Sequence, residues 1–189
     1  GSFWNKKRKQ TITNGTGELI TFYENGGVKE KFKYKDSVRH GKFEFRKSNG
    51  KLSISGEYFN GKKQGEWKEY FLISGKLKSV KSFDKDSLTG NYISYYDNEK
   101  VNIKGQFTDN KKQGEWQWFD REGGKDMIGE FKDDIQDGDW IYYFPNGKTK
   151  AKGEYLDGKR TGEWEYFYKN GRQHRKGNFL NDKKNGEWS

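Results

Sequence analysis

Residues 153–171 read Gly153-Glu154-Tyr155-Leu156-Asp157-Gly158-Lys159-Arg160-Thr161-Gly162-Glu163-Trp164-Glu165-Tyr166-Phe167-Tyr168-Lys169-Asn170-Gly171. Two aromatic runs, each opened by a glycine and a glutamate, are joined by the turn around Asp157-Gly158, and Asn170-Gly171 closes the segment. Asn and Gly tolerate the positive φ of tight hairpin turns, so such dipeptides between apolar runs are strong local hairpin signals. The same phrase recurs outward in both directions. Gly-acidic-Trp appears at Gly65-Glu66-Trp67, Gly114-Glu115-Trp116, Gly138-Asp139-Trp140 and Gly186-Glu187-Trp188, with weaker copies at Gly17-Glu18-Leu19, Gly41-Lys42-Phe43 and Gly90-Asn91-Tyr92. The leading glycines stand at 17, 41, 65, 90, 114, 138, 162 and 186, in steps of 24 with a single 25 after Gly65. One register held over eight starts marks a stacked array.

Within each unit an aromatic usually lies five residues past the leading glycine, as in Phe22, Tyr70, Tyr95, Phe119, Tyr143 and Phe167, with Arg46 the exception. A turn follows, such as Asn25-Gly26, Asn146-Gly147 or Asn170-Gly171, then a second run such as Gly56-Glu57-Tyr58 or Gly129-Glu130-Phe131. A second polar turn closes the unit, as in Asn60-Gly61-Lys62-Lys63-Gln64. No stretch keeps a helical period, and the frequent glycines oppose helix. Aromatics suit a pleated surface and pair across strands. The pattern predicts one β-hairpin per repeat, joined edge to edge in an elongated, single-layer antiparallel meander of seven to eight hairpins. The extra residue near Leu72-Ile73-Ser74-Gly75 is expected to be absorbed at a turn. Asp97-Asn98-Glu99-Lys100, which lacks the turn glycine, is expected to form a longer polar loop.

Composition agrees with a thin array. Only 29% of the 189 residues are hydrophobic and 35% are charged, against 7 Trp, 12 Tyr and 14 Phe. That is sparse for a three-dimensional core, but sufficient where each repeat packs only on its neighbours. With strands about 4.8 Å apart, the expected object is a long, narrow, twisted ribbon. Cysteine is absent, which removes disulfides and thiolate metal sites. Gly1-Ser2 without an initiator Met resembles a cloning scar, and the fresh motif at Trp188-Ser189 points to further sequence beyond it. The sequence assigns no compartment: the chain as given reads as soluble, and a cytoplasm, or a cell envelope if a leading signal has been removed, are both open.

The formal charge of +10 is unevenly spread. Residues 1–16 form a basic tail with Lys6-Lys7-Arg8-Lys9, ahead of the array at 17–189. Residues 41–64 hold six basic and two acidic residues, whereas 114–137 hold three basic and eight acidic.

Catalysis needs one assembled constellation, and this chain repeats the same residues instead. Glu66, Glu115, Glu163 and Glu187 share one repeat position, which puts them about 10 Å apart in a meander. Residues repeated in this way are expected to serve the repeat, by bonding the neighbouring turn. His40 and His174 have no metal-ligating companion in sequence, and both read as solvated side chains, His40 in a turn. Asp133-Asp134-Ile135-Gln136-Asp137-Gly138-Asp139 fails the calcium-loop spacing because Ile135 falls where an oxygen ligand is required. The sequence calls for no enzyme activity, no cofactor and no metal.

Positions two and five past the leading glycine point to opposite faces of a strand. Trp67, Trp116, Trp140 and Trp164 are expected on one face, and Tyr70, Phe119, Tyr143 and Phe167 on the other. One row can pack inside a curled ribbon and the other would be partly exposed; most of these rings are expected to fix the stacking of one hairpin on the next, and binding falls to the aromatics not needed for that packing. The acidic repeat also carries the extra Trp118 and the pair Gly123-Gly124. The candidate binding residues are therefore Trp116, Trp118, Phe119, Asp120, Glu122, Asp133 and Asp134, facing a partner with basic groups.

The unit resembles the MORN repeat in its bacterial variant, built as Gly-x-Trp-x-x-Tyr, Asn-Gly, Gly-x-Tyr and Asn-Gly-Lys-x-x-Gly. Gly65-Glu66-Trp67-Lys68-Glu69-Tyr70 and Gly56-Glu57-Tyr58-Phe59-Asn60-Gly61-Lys62 carry that resemblance, as does Arg39-His40-Gly41 at a repeat junction. It covers residues 17–188. The resemblance implies a non-catalytic scaffold that binds another protein or dimerises, and bacterial members are often labelled antitoxin or toxin-immunity proteins. The expected partner is another protein, a toxin under that label. Open edge strands offer a route to a homodimer. Phospholipid head groups or nucleic acid, met by the basic face, are the alternative partners.

Overall fold

The computed structural model describes residues 8–189 of the chain. All regular structure among them is strand. In chain order these are β1 (Arg8–Gln10), β2 (Gly17–Phe22), β3 (Val28–Lys35), β4 (Val38–Arg46), β5 (Leu52–Phe59), β6 (Lys62–Tyr70), β7 (Leu77–Asp84), β8 (Ser87–Tyr95), β9 (Val101–Thr108), β10 (Lys111–Phe119), β11 (Lys125–Lys132), β12 (Ile135–Tyr143), β13 (Thr149–Leu156), β14 (Lys159–Phe167), β15 (Gln173–Leu180) and β16 (Lys183–Trp188). Strand order in the antiparallel sheet follows chain order. The predicted meander of hairpins is the fold. Contacts divide the chain into two compact units, Gly1–Gly90 and Asn91–Ser189, with the division inside β8. Of the basic run 6–9, Lys6 and Lys7 lie outside the described residues, while Arg8–Gln10 pairs with Leu19–Thr21 of β2.

Two kinds of turn alternate. Where an odd strand leads into an even one, as from β13 to β14, two residues of positive φ make the reversal: Asp157 (48°) and Gly158 (78°), or Asp133 (52°) and Asp134 (69°). That is the backbone of a primed hairpin turn, whose twist matches the flanking strands. Where an even strand leads into an odd one, a four-residue turn closes from residue i to i+4, as Phe144 N–H to Lys148 O (2.8 Å). The extra residue of the third repeat sits in this second kind of turn, which closes from Phe71 N–H to Lys76 O. The predicted longer loop at 97–100 is not found. Tyr96 N–H reaches Lys100 O as in the glycine turns, because Glu99 itself takes φ 70°.

Consecutive turns are tied together by side chains. Asn146 Nδ2 donates to Lys169 O (2.8 Å) and Lys148 Nζ to Asn170 O (2.7 Å), while Asn98 and Lys100 do the same toward Arg121 and Glu122. The Asn and Lys of the turn motif thus satisfy carbonyls of the next repeat, as well as shaping their own turn.

The core of each unit is mostly aromatic, with Phe32 and Trp67 in the first and Trp116, Trp140, Trp164 and Phe179 in the second. Trp67, Trp116, Trp140 and Trp164 are all buried. The ladder slips beside the leading glycine of β4, β6, β10, β12, β14 and β16. In β13 and β14, Lys152 pairs with Glu165 but Glu154 pairs with Thr161, so Gly153 faces the bulged segment around Gly162, where φ is 61°. The slip frees the carbonyl of Glu154, and Trp164 Nε1 donates to it at 3.1 Å. Trp140 does the same to Glu130 O and Trp67 to Glu57 O, both at 3.2 Å. Phe and Tyr have no donor for that carbonyl, which accounts for Trp at these three positions, whereas the buried Nε1 atoms of Trp116 and Trp188 have no hydrogen-bond partner among the described residues.

Gly153 lies beneath that indole, and a Cβ built on it would come 2.5 Å from Trp164 Cγ. Gly56, Gly105, Gly129 and Gly177 stand in the same relation to Trp67, Trp116, Trp140 and Trp188. Where the glycine position holds Phe32 or Lys81, the aromatic of the following repeat is the smaller Phe43 or Tyr92. Ring size and the residue beneath it are matched along the chain, as dense packing requires.

Candidate binding surface

Residues directly opposite in an antiparallel pair share a face, so register assigns each side chain to a side. In the second unit the tryptophan face carries two rings per even strand, two positions apart: Trp116 and Trp118, Trp140 and Tyr142, Trp164 and Tyr166, then Trp188. Their centroids form an unbroken zigzag. Trp116–Trp118 is 6.2 Å, Trp118–Trp140 5.7 Å, Trp140–Tyr142 6.1 Å, Tyr142–Trp164 6.4 Å, Trp164–Tyr166 6.2 Å and Tyr166–Trp188 6.2 Å. Rings from the odd strands stand edge-on between them, as Phe131 at 5.3 Å and 79° from Trp140 and Tyr155 at 5.3 Å and 85° from Trp164. Edge-to-face contact suits the aromatic quadrupole. Burial holds the Tyr142 phenol above its ordinary pKa, helped by its partner Tyr155 O–H at 3.4 Å.

A cation sits over these rings two residues before the leading glycine of β10, β14 and β16, while Gln136 holds that place in β12. Lys112 Nζ lies 5.1 Å from the Trp116 centroid and 4.7 Å from Phe131, Arg160 4.1 Å from Phe179, and Lys184 4.6 Å from Trp188. In the first unit Arg39 and Lys63 hold the same place over Phe32 and Trp67. Cation–π contact accounts for a basic residue recurring there. These cations were not singled out from sequence, although their fixed offset from the glycines was visible. The rhythm breaks at Glu69, in the place of Tyr142 and Tyr166, which pairs with Lys81 at 2.8 Å and Ser79 at 3.3 Å. Burial opposes its ionisation, but the Lys81 hydrogen bond, with the charges of Lys81 and Lys78, holds its pKa below the ordinary value.

The predicted site residues fall into separate places. Trp116 is 2% exposed and belongs to the core. Trp118 shares its face, half-buried, as the counterpart of Tyr142 and Tyr166. Phe119 lies on the opposite face under Lys104 at 5.6 Å. Asp120 caps its own turn, with Oδ1 accepting from Glu122 N–H and Gly124 N–H at 2.8 Å each, and Glu122 pairs with Lys100 at 3.0 Å. Asp133 and Asp134 form the turn at the other end of β11, where Asp134 Oδ1 accepts from Lys112 N–H at 2.8 Å. The eight residues of β11 separate the two acidic pairs by roughly 27 Å at 3.4 Å per residue. One repeat contains a turn from each edge, so its summed charge is not one patch.

The repeated glutamates do not bond the turns as expected. Glu66 pairs with Lys68 (3.3 Å) and Glu163 with Lys176 (3.1 Å), because the residue before Trp points to the opposite, open face. His40 lies within β4 rather than in a turn, 4.9 Å from the Phe59 ring and 3.3 Å from Asn60 Oδ1.

The fold and surface define a repeat array of β-hairpins that presents an aromatic and cationic face. The family described as MORN repeat variant matches residues 16–36, 88–109 and 136–157. Each matched segment holds one even strand, its four-residue turn and the returning odd strand, so the chain is similar to that family over three of its hairpins. No curated protein matches the chain. The MORN repeat is a non-catalytic type associated with binding and scaffold roles.

Proposed function

We propose that this chain is a protein-binding scaffold whose contact surface is the tryptophan face of its hairpins. The observation that carries the reading is the half-buried row Trp118, Tyr142 and Tyr166, held on the same face between the buried indoles of Trp116, Trp140 and Trp164 and flanked by Lys112 and Arg160. Rings already locked by packing lose little entropy on binding, and Trp, Tyr and Arg are the residues enriched at interface hot spots. Under this reading the antitoxin or immunity role is the special case in which the partner is a toxin. The test is capture of a co-purifying or genomically adjacent protein by the full chain and by a Trp118→Ser/Tyr142→Ser/Tyr166→Ser variant whose circular dichroism is unchanged. Loss of capture by the folded variant supports the reading, and equal capture overturns it.

Anionic partners are a second reading, favoured by one observation. Lys31, Lys33 and Lys35 alternate along β3 and share the face opposite Phe32. Salt separates the two readings. Phosphate-driven binding to vesicles or nucleic acid weakens steeply as salt rises, whereas an interface anchored by aromatics weakens modestly.

A further inference from the structure

One row of the tryptophan face repeats with a period that a bound segment can match. Register reads it across β10–β15 as Trp118, Met127, Tyr142, Ala151, Tyr166 and Arg175. Trp118, Tyr142 and Tyr166 are half-buried, whereas the Ala151 between the two tyrosines is small and buried. Accessible rings therefore recur every second strand, about 9.6 Å apart. Arg175 ends the row directly opposite Tyr166, 4.7 Å from its ring and 5.4 Å from that of Trp188.

Charge on this face is one-sided. Among the strand residues of β9–β16, register and alternation put the cations Lys112, Arg160, Arg175 and Lys184 here and every carboxylate on the opposite face. There Glu115 stands opposite Glu130, Asp139 opposite Glu154, Glu163 opposite Asn178 and Glu165 opposite Lys176. Asp126, Asp137 and Glu187 face the same way, as the chain neighbours of Met127, Gln136 and Trp188. The turns 144–148 and 168–172, beside Tyr142 and Tyr166, hold Lys148, Lys169 and Arg172 and no carboxylate. In the turns at the Trp118 end, Asp97 pairs with Arg121, Asp120 caps its own turn, Glu122 pairs with Lys100, and Glu99 is engaged as well. The tight-turn aspartates lie at the far ends of the strands, where Asp133 pairs with Lys111, Asp134 accepts from Lys112 N–H and Asp182 pairs with Arg160, with Asp157 beside them. Arg175 has no carboxylate partner among the described residues.

Both polarity and period select the occupant. The Trp118 and Arg175 side chains can only donate hydrogen bonds, so the row asks for acceptors and negative charge. A second copy of this chain would bring the same cations to meet them. A polyproline II segment has no internal hydrogen bonds and its prolines have no N–H, so it offers carbonyl acceptors with few donors. Three residues at 3.1 Å make a turn of about 9.3 Å. Prolines at i, i+3 and i+6 then fall on Trp118, Tyr142 and Tyr166 with a mismatch of about 0.6 Å over the row. A strand reaches about 10.2 Å at its third residue, which points to the other side. A helix returns to one face every seven residues, about 10.5 Å, and is out by about 1.8 Å over the same span.

Resting on the protein-binding reading above, we infer that the row docks a proline-rich segment of the partner in the polyproline II conformation, with one proline on each of Trp118, Tyr142 and Tyr166 and a carboxylate beyond the last proline on Arg175. The test is titration of the full chain with two fluorescein-labelled peptides, Pro-Ala-Ala-Pro-Ala-Ala-Pro-Glu-Glu and the same sequence in reverse order, which cover both chain directions. The control holds the same residues with prolines at i, i+2 and i+4. One of the two spaced peptides should bind and the control should not. Tyr142→Ala and Tyr166→Ala should each weaken binding roughly tenfold. Arg175→Glu should weaken it as much, and exchanging the peptide's glutamates for lysines should restore it. Arg175 is exposed, so that variant should keep its far-UV circular dichroism and reports even if a tyrosine variant unfolds. Equal binding of spaced and control peptides, no binding of either spaced peptide, or indifference to the Arg175 charge swap overturns the assignment. So does a ten-residue oligothymidylate that binds in their place and is released by the same substitutions, which gives the face to nucleic acid. A partner captured through Trp118, Tyr142 and Tyr166 while no peptide binds removes the proline-rich segment and leaves the scaffold reading standing.

Discussion

Substitution of Gly153 by alanine tests the matching of glycine to tryptophan through the sign of the effect. Gly153 lies in the interior of β13, and its φ is not in the left-handed region. On backbone grounds alone, alanine at such a position stabilises by about 0.4–1 kcal/mol, because it restricts the unfolded chain. The packing demands the opposite. The new Cβ would lie 2.5 Å from Trp164 Cγ, and nearer still to Cδ2 and Cε2, where carbon atoms prefer about 3.5–4.0 Å. The indole must therefore move by roughly 1 Å. It is confined by Tyr155 at 5.3 Å and Phe179 at 6.1 Å and tethered through Nε1 to Glu154 O at 3.1 Å. Overpacking costs about 1–3 kcal/mol, and loss of the tether about 1 kcal/mol more. Set against the backbone gain, Gly153→Ala is expected to destabilise by about 1–3 kcal/mol overall. The assay is urea unfolding followed by far-UV circular dichroism, with the m-value checked for constancy. A second arm pairs Gly153→Ala with Trp164→Phe, following the pairing of Phe32 with Phe43 at 5.0 Å in this same chain. The smaller ring relieves the clash, so the double variant should be more stable than the sum of the two single effects predicts, by at least about 1 kcal/mol. A neutral or stabilising Gly153→Ala, or strict additivity, refutes the argument.

Two further predictions follow from the polar contacts. Glu69 has a folded pKa held below its unfolded value, so its ion pair contributes stability above the ordinary carboxylate range and loses it as pH falls through the folded value; Glu69→Gln should flatten the acid limb of the stability–pH curve by about 0.5 kcal/mol after solvent screening, and an unchanged limb would remove the Lys81 pair from the account. Asp134→Lys removes the acceptor of Lys112 N–H and strains a residue at φ 69°, so it should cost about 1–3 kcal/mol in unfolding experiments, whereas a purely solvated aspartate would change stability by less than about 0.5 kcal/mol.

The period, the hairpins, the turns and the absence of helix were legible in the residues because each is a local property. Asn-Gly encodes its own reversal wherever it stands, and aromatic alternation encodes a pleated face without reference to the rest of the chain. The Gly153–Trp164 match was written in the sequence too, as a smaller ring wherever the glycine is replaced, but its meaning needed the contact. What only the tertiary structure decided was which repeated residues meet. The ladder slips at Gly153 and its counterparts, so register is set by hydrogen bonds across strands and not by counting along one. That register places Trp118 in the aromatic zigzag, seats Lys112 and Arg160 over rings, and sets Arg175 opposite Tyr166. It also sends Asp120 and Asp133 to opposite edges of the sheet, because the eight-residue strand β11 lies between two neighbouring turns of the chain.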